Sequence, residues 1–204
     1  MRTLVETTEV FKLEELDESA QQTAYENIVY SEGYLDYDWW DFIYDDVKRT
    51  GELIGIDIDK IYFSGFSSQG DGACFEGSYK YAPGWRKALI AEYGKDNASL
   101  KEAVKIAEQL QAVQRKAFYK LSASVKQRGF YNHSGCTDIT VYDDRDGDPA
   151  SASTDEEISQ LLREYMDYIY VCLEREYEYL TSFEAFEETC KANAYEFDEY
   201  GNLV

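Results

Sequence analysis

His133 and Cys136 stand three residues apart in His133-Ser-Gly-Cys136. At that spacing an imidazole and a thiol can share a metal ion or act as base and nucleophile. A closed zinc site needs four ligands, and the other soft donors, Cys74, Cys172 and Cys190, are scattered with no Cys-x-x-Cys pair. Catalysis would need a third group to orient the imidazole. A lone histidine on a strand beside a turn serves more simply as a structural hydrogen-bonding residue, and the four thiols read as free. Asp143-Asp144-Arg145-Asp146-Gly147-Asp148 has the acid content of a calcium loop. With Gly147 at the invariant sixth position, however, Tyr142 falls at the first ligand position and Ser153 at the twelfth, where a bidentate Glu is required. The segment reads as a solvated acidic turn. The glycine-rich run from Gly65 to Gly72 lacks the lysine of a phosphate loop and precedes a strand. It reads as a hairpin turn in which Ser67, Ser68 and Asp71 bond the backbone locally. No catalytic residue, metal or cofactor is therefore expected.

The remaining chemistry is charge. The 204 residues carry 41 Asp and Glu against 20 Lys and Arg with a single His, a formal charge of −21. Such a field excludes nucleic acid as a direct ligand and favours a basic partner. Residues 1–79 hold 18 acids and 5 bases, residues 129–204 hold 19 and 4, and residues 80–128 reverse the sign with 4 and 11. The middle segment is thus expected to neutralise part of its neighbours, leaving an outward acidic face.

The acids recur at helical spacing. Asp38, Asp41 and Asp45, flanked by Asp36 and Asp46, follow one side of a predicted helix; Glu157, Glu164, Asp167, Glu174 and Glu178 follow one side of a later one. Helical neighbours four apart rise by about 6 Å, comparable to successive phosphates, so these ten residues are the candidate contacts for a protein that grips a nucleic-acid backbone. Nineteen tyrosines, many beside acids, add aromatic area that is divided between core and surface.

The elements that must position these residues follow from periodicity. With 44% apolar and 16% aromatic residues the chain folds, and no Pro, Gly or Ser-rich linker divides it, so one domain over 1–204 is expected. Alternation predicts strands at 7–13, 56–66, 73–81 and 130–142, the middle two as a hairpin. Helical spacing predicts helices at 17–30, capped by Asp17, at 36–47, at 85–93 and, as a long one, at 99–127. The capping box Thr154-Asp-Glu-Glu157 starts another long helix that breaks near Thr181-Ser182, continues to about 194, and leaves 195–204 as a strand or hairpin around Gly201. The fold class is α+β, with helices packed on a mainly antiparallel sheet. The N-terminus has no apolar signal region and no run long enough to span a bilayer, which predicts a cytoplasmic protein.

Residues 36–46, Asp-Tyr-Asp-Trp-Trp-Asp-Phe-Ile-Tyr-Asp-Asp, and 55–77, from Gly-Ile-Asp-Ile-Asp-Lys to Cys-Phe-Glu-Gly, resemble a family of small acidic proteins encoded by bacteriophages and prophages. Some members are labelled antitoxins of toxin-antitoxin stability systems. The resemblance is specific over about residues 36–79 and implies no catalytic residues. It implies a setting, the bacterial host cell, in which small acidic phage proteins often inhibit restriction enzymes and CRISPR complexes. The expected function is a non-enzymatic DNA mimic that blocks a basic, nucleic-acid-binding defence protein and touches neither nucleic acid nor membrane. An antitoxin-like protein masking a basic toxin, and an enzyme using the 65–77 hairpin loop with Asp71, Cys74 or His133, are the alternatives.

Overall fold

In the computed structural model, which describes residues 2, 9–31, 33–35, 37–95 and 97–204, the chain divides into two compact units. The larger comprises Trp40–Glu174; the smaller is built from Met1–Trp39 and Arg175–Val204.

The larger unit is an antiparallel sheet carrying helices. Strands β1 (Ile56–Ser64), β2 (Gly72–Lys80), β3 (Leu121–Gln127), β4 (Thr137–Asp143) and the short β5 (Asp148–Pro149) lie side by side in chain order. On β1 the buried isoleucines are 56, 58 and 61, and the change of phase is a bulge at Asp59, where the register jumps from Ile58↔Gly77 to Lys60↔Glu76. Ala73, Cys74 and Phe75 of β2 are buried consecutively, so both faces of the sheet are covered there.

Helices α2 (Asp41–Ile54), α3 (Trp85–Tyr93), α4 (Lys101–Lys116) and most of α5 (Ala152–Leu180) supply the cover, following α1 (Glu18–Val29) in chain order. α2 buries Ile43, Val47, Thr50, Gly51 and Ile54, the i, i+4, i+7 stripe of an amphipathic helix. α4 buries Ala103, Ile106, Ala107, Leu110 and Val113 in the same way. α5 is tied to α2 by the buried Tyr165 hydroxyl, which donates to the Val47 carbonyl at 2.6 Å, and to β4 by Asp155, whose carboxylate accepts from the Val141 amide at 3.1 Å.

The smaller unit packs α1 and α6 (Phe183–Asn193) around Leu13, Leu16, Ala20, Ala24, Phe186, Cys190 and Phe197. Asp17 caps α1 by accepting from the Ala20 amide, and Ser182 caps α6 by accepting from the Ala185 amide. The C-terminal tail turns at Gly201 and pairs at isolated points, Phe11 with Phe197 and Phe197 with Leu203.

The α+β class, the hairpin and the helices at 17–30 and 85–93 are as expected, and five boundaries are corrected. The long helix at 99–127 ends at Lys116, and 121–127 is β3. Leu121 and Val125 are four apart, a spacing that continues a helical stripe and also alternates along a strand; Phe118 and Tyr119, both at positive φ, end the helix between them. The helix expected at 36–47 begins at Asp41 and continues to Ile54. α5 starts at Ala152, two residues before the expected cap, with Ser151 Oγ reached by the Thr154 amide at 3.4 Å. The strand at 130–142 is confined to Thr137–Asp143. Of the first expected strand, Phe11 keeps one isolated bridge, Leu13 opens a short 3-10 helix, and Thr7 and Thr8 lie outside the described residues. Among the described residues no helix is long and apolar enough to cross a membrane.

Candidate functional site

In the larger unit α5 turns Ile158, Leu161, Leu162, Tyr165, Met166 and Ile169 inward. At about 100° per residue, Glu157, Glu164, Asp167 and Glu174 then fall on the opposite side. Glu157 and Asp167 are exposed, Glu164 and Glu174 half-buried. Arg163, on the same helix, donates to the Thr137 carbonyl at 3.3 Å, and Lys105 of α4 feels the Glu164 charge without forming an ion pair with it. Lys116 reaches Glu157 at 3.1 Å; among the described residues no ion pair involves Glu164, Asp167 or Glu174. Glu178, the fifth expected contact on α5, is exposed and belongs to the smaller unit.

Eight acids and two arginines occupy the 29 residues of α5. The difference, six negative charges over about 44 Å, is one per roughly 7 Å, against one per ~3.4 Å along a single nucleic-acid strand. The helix alone therefore offers about half the charge density of one strand, and mimicry needs further acids beside it.

α2 supplies Asp41 and Asp45, exposed and one turn apart. Asp46 is half-buried: its carbonyl accepts from the Tyr93 hydroxyl at 3.4 Å, and its charge helps hold the phenols of Tyr93, Tyr165 and Tyr168 above their ordinary pKa, behind the larger effect of burial. Asp38 precedes the helix, so the Asp38, Asp41, Asp45 stripe is not a helical one, and Asp36 lies outside the described residues. Burial, then the Asp41 charge, pushes the Tyr44 phenol up to about 12.

The basic segment neutralises less than its composition implies. All eleven of its Lys and Arg side chains, from Lys80 to Arg128, are exposed. Arg86 pairs with Glu108 and Lys105 with Glu102 inside the segment; Lys116–Glu157 and Arg128–Asp138 reach the C-terminal acids. Exposed pairs of this kind contribute about 0–1 kcal/mol each.

The groups that could do covalent chemistry are placed as follows. His133 Nε2 lies 3.3 Å from Cys136 Sγ, with the Tyr131 ring stacked on the imidazole; among the described residues no carboxylate bonds the ring. Asp71 accepts from the Ser67 and Ser68 amides at 2.9 and 2.6 Å, which closes the hairpin turn. A side chain at Gly72 would meet His133 Cα at 2.6 Å, so the turn is packed tightly on the 131–133 segment. The Cys74 thiol is buried and pushed up to about 12, chiefly by desolvation, and is protonated at neutral pH. In the acidic turn, Arg145 holds the Asp143 carboxyl down to about 2. Among the described residues no three His, Cys, Asp or Glu groups are placed to hold a metal ion.

Periodicity does not single out a cavity of about 650 Å3 in the smaller unit, lined in part by Tyr34, Asp38, Trp39, Glu176 and Tyr195. Its walls come from segments up to 175 positions apart between Ile28 and Leu203, a juxtaposition that no local pattern encodes.

Residues 39–183 match the family described as a domain of unknown function (DUF8835), and the chain belongs to that family. No curated protein and no solved structure matches it.

Proposed function

We propose that this member of a family without a described function is a non-catalytic acidic inhibitor. In this reading it is phage-encoded, works in the cytoplasm of the bacterial host, and occupies the nucleic-acid-binding surface of a restriction or CRISPR-type defence protein. The observation that carries the reading is the outer face of α5, where Glu164, Asp167 and Glu174 have no ion-pair partner among the described residues and Arg163 is drawn to the sheet. Asp41 and Asp45 on α2 are the second set of contacts, and Asp38 and Glu178 belong to the same expected group. The charge density of α5 sets the terms. Half the density of one strand suits competition for a groove already lined with Lys and Arg, where each close interfacial charge pair is worth roughly 1.5 kcal/mol or more.

The test is inhibition of DNA cleavage by purified bacterial restriction and CRISPR nucleases, with wild type compared against the triple variant Glu164→Lys, Asp167→Lys, Glu174→Lys. Each reversal replaces an attraction with a repulsion, so the half-inhibitory concentration should rise by about a hundredfold or more while the circular dichroism spectrum is unchanged. Inhibition by the wild type should also fall steeply between about 50 and 300 mM salt. Equal inhibition by the triple variant would sink the reading.

A further inference from the structure

The cavity of the smaller unit combines three chemistries, and several of its walls are held by contacts within the unit. Tyr34, Trp39 and Tyr195 contribute aromatic surface, Asp38 and Glu176 contribute carboxylates, and Leu180 is among the apolar lining. Trp39 packs against Tyr177 with ring centroids 5.9 Å apart, which holds the indole beside the end of α5. The end of α5 is held in turn by the Tyr25 hydroxyl, which donates to the Thr181 carbonyl at 2.6 Å. The Tyr195 wall is fixed by its amide, which donates to the Cys190 carbonyl at 3.0 Å. Lys12, the cation next to that wall, is engaged with the carbonyls of Ala194 and Tyr195 and with the Glu196 carboxylate. None of the described lining residues is basic.

A volume of about 650 Å3 lies inside the range of roughly 300–1,000 Å3 typical of ligand sites. Aromatic faces beside carboxylates in a concave, partly desolvated space attract a cation with a flat or methylene-rich body. A guanidinium suits this better than an ammonium, because it is planar, weakly hydrated, stacks on rings and can bond a carboxylate through two N–H groups. Anions are repelled by the two carboxylates and by the net charge of the chain.

We propose that this cavity is a binding site for an arginine-bearing peptide segment of the partner protein. The guanidinium lies between the rings of Trp39, Tyr34 and Tyr195 and donates to Asp38 and Glu176. The inference rests on the reading that the partner is basic, and it assigns a specificity site separate from the acidic face of α5. The α5 face supplies long-range attraction, and the cavity selects arginine over other cations.

The probe is acetyl-Arg-Arg-Arg-amide, titrated into the full chain at low salt and followed by tryptophan fluorescence and by amide chemical shifts. Saturable binding is expected, with shifts centred on Trp39, Ala185, Thr189 and Tyr195. The isosteric pair Asp38→Asn, Glu176→Gln should weaken it by roughly tenfold to a hundredfold, the loss expected for hydrogen bonds to charge. Acetyl-Lys-Lys-Lys-amide should bind more weakly, and the triple α5 reversal, which removes only long-range attraction, should weaken the arginine peptide by a smaller factor than the cavity pair does and keep the same shift map. Absence of saturable binding overturns the proposal, as do shifts centred on α5 and loss of binding in the α5 reversal. The α5 result leaves nuclease inhibition standing, and failed inhibition leaves the cavity standing, so the two proposals fail separately. Should the double variant not fold, the wild-type shift map decides alone.

Discussion

Gly55 closes α2 at φ 93° and leads into β1, and a methyl group there would lie 2.0 Å from the Lys80 carbonyl oxygen. That carbonyl cannot withdraw cheaply, because the Lys80 amide donates to the Gly55 carbonyl at 2.8 Å and the two chains are fixed together. Gly147 sits at φ +75° in the β4–β5 turn with nothing within 4 Å of where its Cβ would be. The two positions separate backbone strain from collision. Gly147→Ala should cost only the left-handed penalty, about 1 kcal/mol, whereas Gly55→Ala should cost about 3 kcal/mol or more because the sheet edge must also shift. Urea unfolding of the two variants checks this, and equal losses would mean that the β1–β2 corner yields. At this scale the sequence was partly legible. Asp71 bonds Ser67 and Ser68 as the turn chemistry predicted, whereas the tight seat of Gly72 on His133 joins positions 61 residues apart and has no local signal.

Between elements, the α2–α5 contact turns on a single polar tie. Tyr165 is fully buried, its ring meets Phe75 edge-on, and its hydroxyl donates to the Val47 carbonyl at 2.6 Å. Tyr165→Phe keeps the packing and deletes the bond, so a loss of about 1–2 kcal/mol is expected. A smaller midpoint in denaturant with unchanged nuclease inhibition would show that the tie positions the helix without contributing to the acidic face. Element type was readable wherever one period dominated, as in α1, α3 and the β1–β2 hairpin. It failed at 117–127 because Leu121 and Val125 satisfy both periods, and the choice was made by Gln114. That side chain, fully buried, accepts from the Leu121 amide at 3.2 Å and donates to its carbonyl at 2.7 Å, so the chain leaves the helix to meet it.

Over the whole molecule the charge of −21 acts in two opposite senses. Self-repulsion among acids opposes folding and is screened by salt, so raising NaCl from about 10 mM to 500 mM should raise the melting temperature by a few degrees. Attraction to a basic partner is screened by the same ions, so affinity should fall over the same range. A melting temperature that falls with salt would mean that ion pairs such as Lys116–Glu157 outweigh the repulsion, contrary to their exposure.

The sequence by itself determined the sign and size of the charge, the α+β class, the hairpin and the amphipathic face of α5, since each depends on composition or on contacts within a few residues; of the buried face of α2 it marked only Ile43 and Val47. Only the tertiary structure decided which charges remain uncompensated. Arg163 is turned to the sheet, Asp46 is drawn in among buried tyrosines, the eleven bases of the middle segment stay exposed, and Tyr34, Trp39, Glu176 and Tyr195 meet around one cavity. Screening and desolvation depend on distance in space, and positions far apart in the chain acquire those distances only when the chain folds.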